Sequence, residues 1–345
     1  MIKLMATAVL SYIFIRLLIA NAGKLHLLDI PNGRSFHYSI TPLGGGIGFM
    51  MSFFFSILAF KFYMFLEYWY IFTAIFIVFL GGLADDRYHL SAKMKFLIIF
   101  VAVFVLWLNH ACIYTLGQYF DYQFNLVWWF VFPFSAFAIA GFTNALNLID
   151  GIDGLAGSIS IVIIAFFGLI GYDNGNTLMI TISTFTIASL VGFMILNWNP
   201  AKVFMGDSGS LSLGFIISVL AVLSIKYIPP VVVLYLAAVP ILDTLVVMIR
   251  RIKKRKSPFK PDKTHLHHIM VKFFNMNVKK TVIFLVILQI IFSSTGYVML
   301  ETMKKDSIGI AQLLALIGFV MMFFLFYMIF TNIKRRQLIL DKEEE

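Results

Sequence analysis

The stretch NALNLIDGIDGLAGSISIVIIAFFGLIG, residues 144–171, changes character at its middle. Up to Gly157 it sets two asparagines and two aspartates among glycines, and from Gly157 to Gly171 it runs fifteen residues without a charge. The second half reads as a membrane span. Comparable apolar segments lie near 4–20, 43–62, 66–84, 94–109, 126–143, 178–197, 210–225, 229–249, 281–300 and 308–331, which makes eleven with 157–171. Of the 345 residues 61% are apolar and 13% charged, and mean hydropathy is +0.92. A soluble fold is excluded. A bilayer core takes about 20 apolar residues per helix, so the chain has room for these spans, short connections and no separate soluble domain. The expected fold is all-α: a polytopic membrane helix bundle forming a single domain over 1–345. The first span resembles a cleaved signal, with Lys3 before it and Ala20-Asn21-Ala22 at its end, but Arg16 inside the run and ten further spans favour an anchor.

The basic residues set the expected orientation. There are 27 Lys and Arg against 17 Asp and Glu, a balance that suits nucleic acid when spread over a soluble surface. Here the bases crowd one set of connections, which holds 21 of them against 5 in the other. Short cytoplasmic loops carry such an excess, so the N-terminus is expected outside and the C-terminus inside, with no nucleic-acid role. Cys112 has no partner for a disulfide and no Cys or His at metal-ligand spacing except the adjacent-but-one His110.

The basic set of loops also holds nearly all the Asp, Asn, His and clustered Gly. In DIPNGRSFH (29–37) followed by TPLGGG (41–46), the glycines at a helix start offer backbone N–H groups to an anion, or merely punctuate a loop. Asp85 and Asp86, in GLADDR (82–87), are adjacent carboxylates at a span end; they call for a cation or a basic partner, or serve as a solvated cap beside Arg87. On one continuous helix Asn144, Asn147, Asp150 and Asp153 form a spiralling polar stripe with glycines alongside, a surface for a flat polar ligand. Asp207, in FMGDSGS (204–210), sits where a span begins, and its bland reading is an N-cap. The basic loop from Arg250 to Lys263 ends in His265-Leu266-His267-His268, suited to phosphate more than to a transition metal among so many carboxylates and amides. Together these segments fit phosphoryl chemistry on phosphate-bearing substrates.

The motifs DIPNGRSFH…TPLGGG, GLADDR, NALNLIDGIDGLAG, FMGDSGS and PDKTHLHH, in this order from Asp29 to His268, resemble the polyprenyl-phosphate N-acetylhexosamine-1-phosphate transferases, glycosyltransferase family 4. The resemblance implies a multi-pass enzyme of the bacterial inner membrane with a cytoplasmic active site. Such an enzyme transfers a sugar 1-phosphate from a UDP-N-acetylhexosamine to undecaprenyl phosphate, releases UMP and requires Mg²⁺, or Mn²⁺ in its place. It implies that Asp207 holds the metal beside Asp85 and Asp86, one of which acts as base or second anchor. Asn147, Asp150 and Asp153 belong to the nucleotide part of the site, and His265, His267 and His268 contact sugar or diphosphate. The catalytic part is expected over 29–268. The branch making the peptidoglycan precursor carries three consecutive histidines and an acid, whereas this chain reads His-Leu-His-His with no acid following. It therefore looks like the branch that uses UDP-GlcNAc for O-antigen, common antigen or teichoic-acid linkage. The segment RSFHYSITPLGGG also looks like members that use 6-deoxy-N-acetylhexosamines. A homodimer is left open. The rival class is a lipid or sugar transporter, whose charges belong near mid-membrane; only Asp243 lies well inside a predicted span.

Overall fold

The structure, a computed structural model, describes residues 1–29, 40–255, 265–303 and 308–343. The expectations placed on 30–37 and on 256–264 of the basic loop lie outside the described residues. The chain divides into two compact units.

Residues 1–114 with 126–227 form the first. It runs α1 (Ile2–Leu25), β1 (Leu28–Asp29), β2 (Thr41–Pro42), α2 (Gly45–Phe60), α3 (Phe62–Glu67), α4 (Trp69–Tyr88), α5 (Ala92–Leu108), α6 (Trp128–Ile149), α7 (Leu155–Asp173), α8 (Thr177–Asn197) and α9 (Asp207–Ser224). β1 pairs antiparallel with β2. The serine- and glycine-rich α9 is the most enclosed helix, with 83% of its apolar window buried against 17% for α1. Its small residues let α4, α6, α2 and α7 approach closely. Buried hydroxyls join neighbouring helices: Thr7 donates to Ser56 Oγ at 2.8 Å and Ser11 to the Ser189 carbonyl at 2.7 Å.

The second unit comprises 115–125 and 228–345. Its elements are β3 (Thr115–Tyr119), β4 (Tyr122–Asn125), α10 (Pro230–Leu236), α11 (Ala238–Lys253), α12 (Leu266–Phe273), α13 (Val278–Thr302) and α14 (Ile308–Glu343). Among the described residues the antiparallel β3–β4 hairpin and the β1–β2 pair are the departures from an all-α chain; both fall in connections between the expected spans, the second at the edges of the DIPNGRSFH…TPLGGG segment.

The protein is thus a mostly helical, polytopic membrane protein. Every hydropathic segment falls on a helix, yet among the described residues eight helices are long and apolar enough to cross a bilayer, nine if the bent pair α10–α11 is one span. α2 and α5, with 16 and 17 residues, fall just short. The α10–α11 bend is 88°. Pro240 lacks the N–H that would bond the Leu236 carbonyl, and α13 supplies the replacement: Gln289 Nε2 and Ser293 Oγ donate to that carbonyl at 2.8 and 2.9 Å, while Gln289 Oε1 accepts from Val239 N–H at 3.0 Å. A break in apolar surroundings is tolerated when side chains pair the freed backbone groups in this way.

Candidate active site

Asp207 is the first residue of α9, after Gly206 at φ +73°. Its side chain makes no capping bond. Oδ2 instead accepts from Lys95 Nζ and Oδ1 from Asn147 Nδ2, each at 2.6 Å, and Asn147 Nδ2 also lies 2.8 Å from Ser210 Oγ. The N-cap reading of Asp207 is therefore overturned.

The cap comes from α4. Asp86 accepts from the N–H groups of Asp207 and Ser208, at 2.6 and 3.0 Å, so both its oxygens satisfy the exposed first turn of α9, where a negative charge also complements the helix dipole. The approach needs glycine twice. A Cβ on Gly206 would lie 2.8 Å from both Asp86 oxygens and would force an L side chain to positive φ; one on Gly82 would lie 2.5 Å from the Asp207 carbonyl oxygen.

Neighbouring helical residues point roughly 100° apart, and Asp85 accordingly faces elsewhere. Its Oδ1 accepts from Leu90 N–H at 2.6 Å and its Oδ2 pairs with Lys95. His89 at φ 51° ends α4, and Ser91 caps α5. This tight reversal returns Lys95 to the end of α4, where one ammonium bridges Asp85 and Asp207.

The polar stripe predicted on one helix is not continuous. α6 ends at Ile149, Asp150 is its C-cap, and Gly154 at φ +77° starts α7. Asn144 and Asn147 stay on α6, while Asp150 and Asp153 occupy the turn between helices. Gly151 and Gly154 weaken the helix where the stripe required it. Asp153 Oδ2 accepts from Asn199 Nδ2 at 2.8 Å and Ala201 N–H at 3.0 Å, which ties the α6–α7 turn to the α8–α9 loop. Burial, with the carboxylates of Asp207, Asp86 and Asp153 nearby, pushes Asp150 up to about 8.

The anion-cradle reading of the Gly44–Gly46 run fails too. The N–H groups of Gly45 and Gly46 donate to the carbonyls of Phe204 and Met205 at 3.0 and 2.8 Å. These bonds dock the loop before Asp207 onto the start of α2, so the glycines position the site and leave those donors unavailable to an anion.

In the second unit, His265 is the N-cap residue of α12. His265 Nδ1 lies 2.9 Å from Asp243 Oδ2, and Asp243 Oδ1 accepts from Leu266 N–H at 2.7 Å. The His265 and His267 rings are parallel within 7° at 6.0 Å, and those of His267 and His268 lie 4.2 Å apart. Neither ring nitrogen of buried His267 has a hydrogen-bond partner among the described residues. Burial, reinforced by His268 and His265, holds its pKa well below the ordinary value and the ring neutral.

Residues 68–225 match the model of a family described as glycosyl transferase family 4. That region carries Asp85, Asp86, Lys95, Asn147, Asp150, Asp153 and Asp207. The chain is 34% identical over 283 residues, 81% of its length, to a Bacillus subtilis (strain 168) protein named probable undecaprenyl-phosphate N-acetylglucosaminyl 1-phosphate transferase, of which it covers 78%. It is 32% identical to undecaprenyl-phosphate alpha-N-acetylglucosaminyl 1-phosphate transferases of Escherichia coli (strain K12) and Yersinia pestis, over 73% of this chain and 71% of each of theirs. The chain belongs to this transferase family.

For a family 4 member the donor set around Asp207 fits Mg²⁺. It consists of hard oxygens: the Asp85 and Asp207 carboxylates, which already share a cation in Lys95, with the Asn147 amide and Ser210 hydroxyl beside them. No group of three His, Cys, Asp or Glu side chains is arranged for a metal among the described residues. Mg²⁺ is commonly held by one or two carboxylates plus substrate phosphates and needs no such triad. Lys95 is the member of this cluster that sequence reasoning missed. A base at the start of an apolar run looks like any topology signal, and only the reversal at 88–91 sends it back to Asp85. Ser210 lay within a quoted motif, but its placement beside Asn147 depends on the α6–α9 packing.

Proposed function

We propose that this protein transfers N-acetylglucosamine 1-phosphate from UDP-GlcNAc to undecaprenyl phosphate and releases UMP, as a single transferase domain over 1–345. The observation that carries this reading is the Asp85–Lys95–Asp207–Asn147 cluster at the ends of α4, α5, α9 and α6, within the family-matched region. Relatives named for this activity over most of their length support it. Carboxylates at helix ends also suit a substrate pair of which one comes from water and the other stays in lipid; a transporter path would set them deeper.

Donor and acceptor are both anions, so attack of the lipid phosphate oxygen on the sugar-linked phosphorus meets like-charge repulsion. Asp207, with Asp85 opposite, would hold Mg²⁺, which when bound neutralises diphosphate charge and polarises the bond to the departing UMP. Lys95 supplies a positive charge between the two carboxylates and donates to phosphate oxygens that enter there. Asp86 holds the first turn of α9, and with it Asp207, against α4. Asn147 fixes the Asp207 carboxylate, and Asp150 and Asp153 belong to the nucleotide part of the site. His265, His267 and His268 contact sugar or diphosphate. Catalysis is then positioning and charge neutralisation.

The 21-to-5 distribution of bases supports eleven membrane-crossing segments, with the N-terminus outside, the C-terminus inside and the site on the cytoplasmic face of the bacterial inner membrane. A reporter fused after Glu345 should be cytoplasmic and a tag at Asn174 outside.

The decisive experiment is exchange of labelled UMP into UDP-GlcNAc in the presence of lipid-linked product. One phosphoanhydride replaces another, so the equilibrium constant lies within about one or two powers of ten of unity, equivalent to about 1.4 to 2.8 kcal/mol. Exchange that requires the lipid supports direct attack. Exchange without any polyprenyl lipid points to an enzyme-bound sugar phosphate on a carboxylate. No exchange in a preparation that is active forward overturns the reading.

A further inference from the structure

Asp243 was the one acid well inside a predicted span, and the cluster around Asp207 does not use it. It is 2% exposed and lies on α11. An aspartate in such surroundings is costly unless its oxygens are paired. Oδ1 accepts the Leu266 N–H and Oδ2 meets His265 Nδ1, so both carboxylate oxygens are spent on two adjacent residues of one turn. Capping the first N–H of α12 explains only one of these bonds, and a serine, threonine or asparagine would supply it more cheaply. The second bond is specific to a carboxylate. An ionised carboxylate only accepts, so the imidazole nitrogen facing it carries the proton. With the backbone of the next residue held by the same group, neither the ring's direction nor its proton is free. His267, 2% exposed beside it, has no such partner on either nitrogen among the described residues. Of these two parallel rings, His265 is the one that a carboxylate holds.

We propose that Asp243 is a positioning residue: it holds His265 as the Nδ1–H tautomer and thereby presents Nε2 to the donor's phosphate or sugar. The inference rests on the reading of His265–His268 as a substrate-contacting motif and adds to it the group that sets its protonation pattern. At metal sites a histidine ligand whose second nitrogen is fixed by a carboxylate is a recurrent arrangement, and loss of the outer partner commonly costs about 10- to 100-fold; the same scale is expected for a histidine that meets phosphate or sugar.

Asp243→Asn tests it. The asparagine carbonyl can still cap Leu266, but its amide N–H₂ then faces Nδ1 and demands a lone pair there, which moves the ring proton to Nε2. In the full-length protein in nanodiscs, ¹⁵N-imidazole spectra, with the His265 signals assigned by loss in His265→Asn, should show Nδ1 protonated in wild type and unprotonated in Asp243→Asn. Turnover should fall about 10- to 100-fold with the thermal midpoint nearly kept. In a His265→Ala background Asp243→Asn should cost less than about twofold further, since the two act as one unit. A wild-type ring protonated at Nε2, or losses that multiply in the double variant, overturns the proposal. If Asp243→Asn does not fold, the wild-type spectrum decides alone. The spectra also separate the proposal from the transferase reading: a clamped Nδ1–H in a protein with no UMP exchange removes the function and leaves the clamp.

Discussion

The cluster at Asp207 and the α10–α11 break both gather polar groups that need partners, and they are satisfied differently. At the break, Gln289 and Ser293 meet backbone groups that have nowhere else to go, and Gln289 is 0% exposed. At Asp207 the partners are side-chain tips: the Lys95 ammonium, 23% exposed, and the Asn147 amide. Backbone partners build a fixed structure. Side-chain partners on an accessible edge can exchange for a ligand, which is what a catalytic site requires. Asp86 and Asp85 repeat the contrast in part at neighbouring positions, the first tied by both oxygens to the backbone of α9 and the second by one oxygen to Leu90 N–H and by the other to Lys95.

The largest effect should come from Asp207→Asn. A neutral amide is a poor partner for Lys95 and for Mg²⁺, and transferase activity in isolated membranes should fall on the order of 10²-fold or more, the scale for removing key electrostatic stabilisation. Retention of a third of wild-type turnover would break the assignment. The Asp85 and Asp86 variants should divide the roles. Asp85→Asn should lower activity and shift the Mg²⁺ concentration for half-maximal rate with little change in thermal midpoint. Asp86→Asn should destabilise the fold by about 1–2 kcal/mol as a lost helix cap, because one of its two acceptors becomes a donor facing an N–H. Identical profiles in both assays would erase the contrast.

A smaller effect, wholly in stability, is expected from Gln289→Leu. Leaving the Val239 N–H unpaired should cost about 1–3 kcal/mol in reversible denaturation, with unchanged turnover per folded molecule; a drop in turnover would make the break part of the catalytic machinery. The subtlest test uses pH. With Asp150 raised from 3.8 to about 8, the folded protein binds more protons than the unfolded chain across that window. Stability therefore falls as pH rises through it and levels off above about 8. Asp150→Asn removes this slope, so its thermal midpoint relative to wild type, measured without divalent cation, should be higher near pH 8 than near pH 5. A gap that stays the same between pH 5 and pH 8 would mean that Asp150 is ionised throughout.

Much of this was legible in the sequence, because hydropathy is averaged over many residues: each apolar segment fell on a helix, and the motif aspartates were recognisable before they were placed. What depended on one or two atoms was not. The stripe from Asn144 to Asp153 assumed an unbroken helix, and two glycines ended it. The Gly44–Gly46 run looked like an anion cradle because nothing in its composition reveals that Phe204 and Met205 take its N–H groups. Asp207 looked like a cap, but the cap is Asp86, 121 residues earlier in the chain. Such pairings are products of packing, and a local pattern does not encode them.

The last helix is also a ruler. At about 1.5 Å per residue, the 36 residues of α14 measure about 54 Å, while a bilayer's hydrocarbon is about 30 Å thick and a helix tilted by about 40° uses only some 39 Å of its length to cross it. Counted from Ile308, Gln337 stands about 43 Å along the axis, farther than the thickness of one hydrocarbon layer. There its Nε2 donates to the Ile269 carbonyl of α12 at 3.0 Å. The length beyond one bilayer thickness works as a strut that braces the histidine-bearing helix.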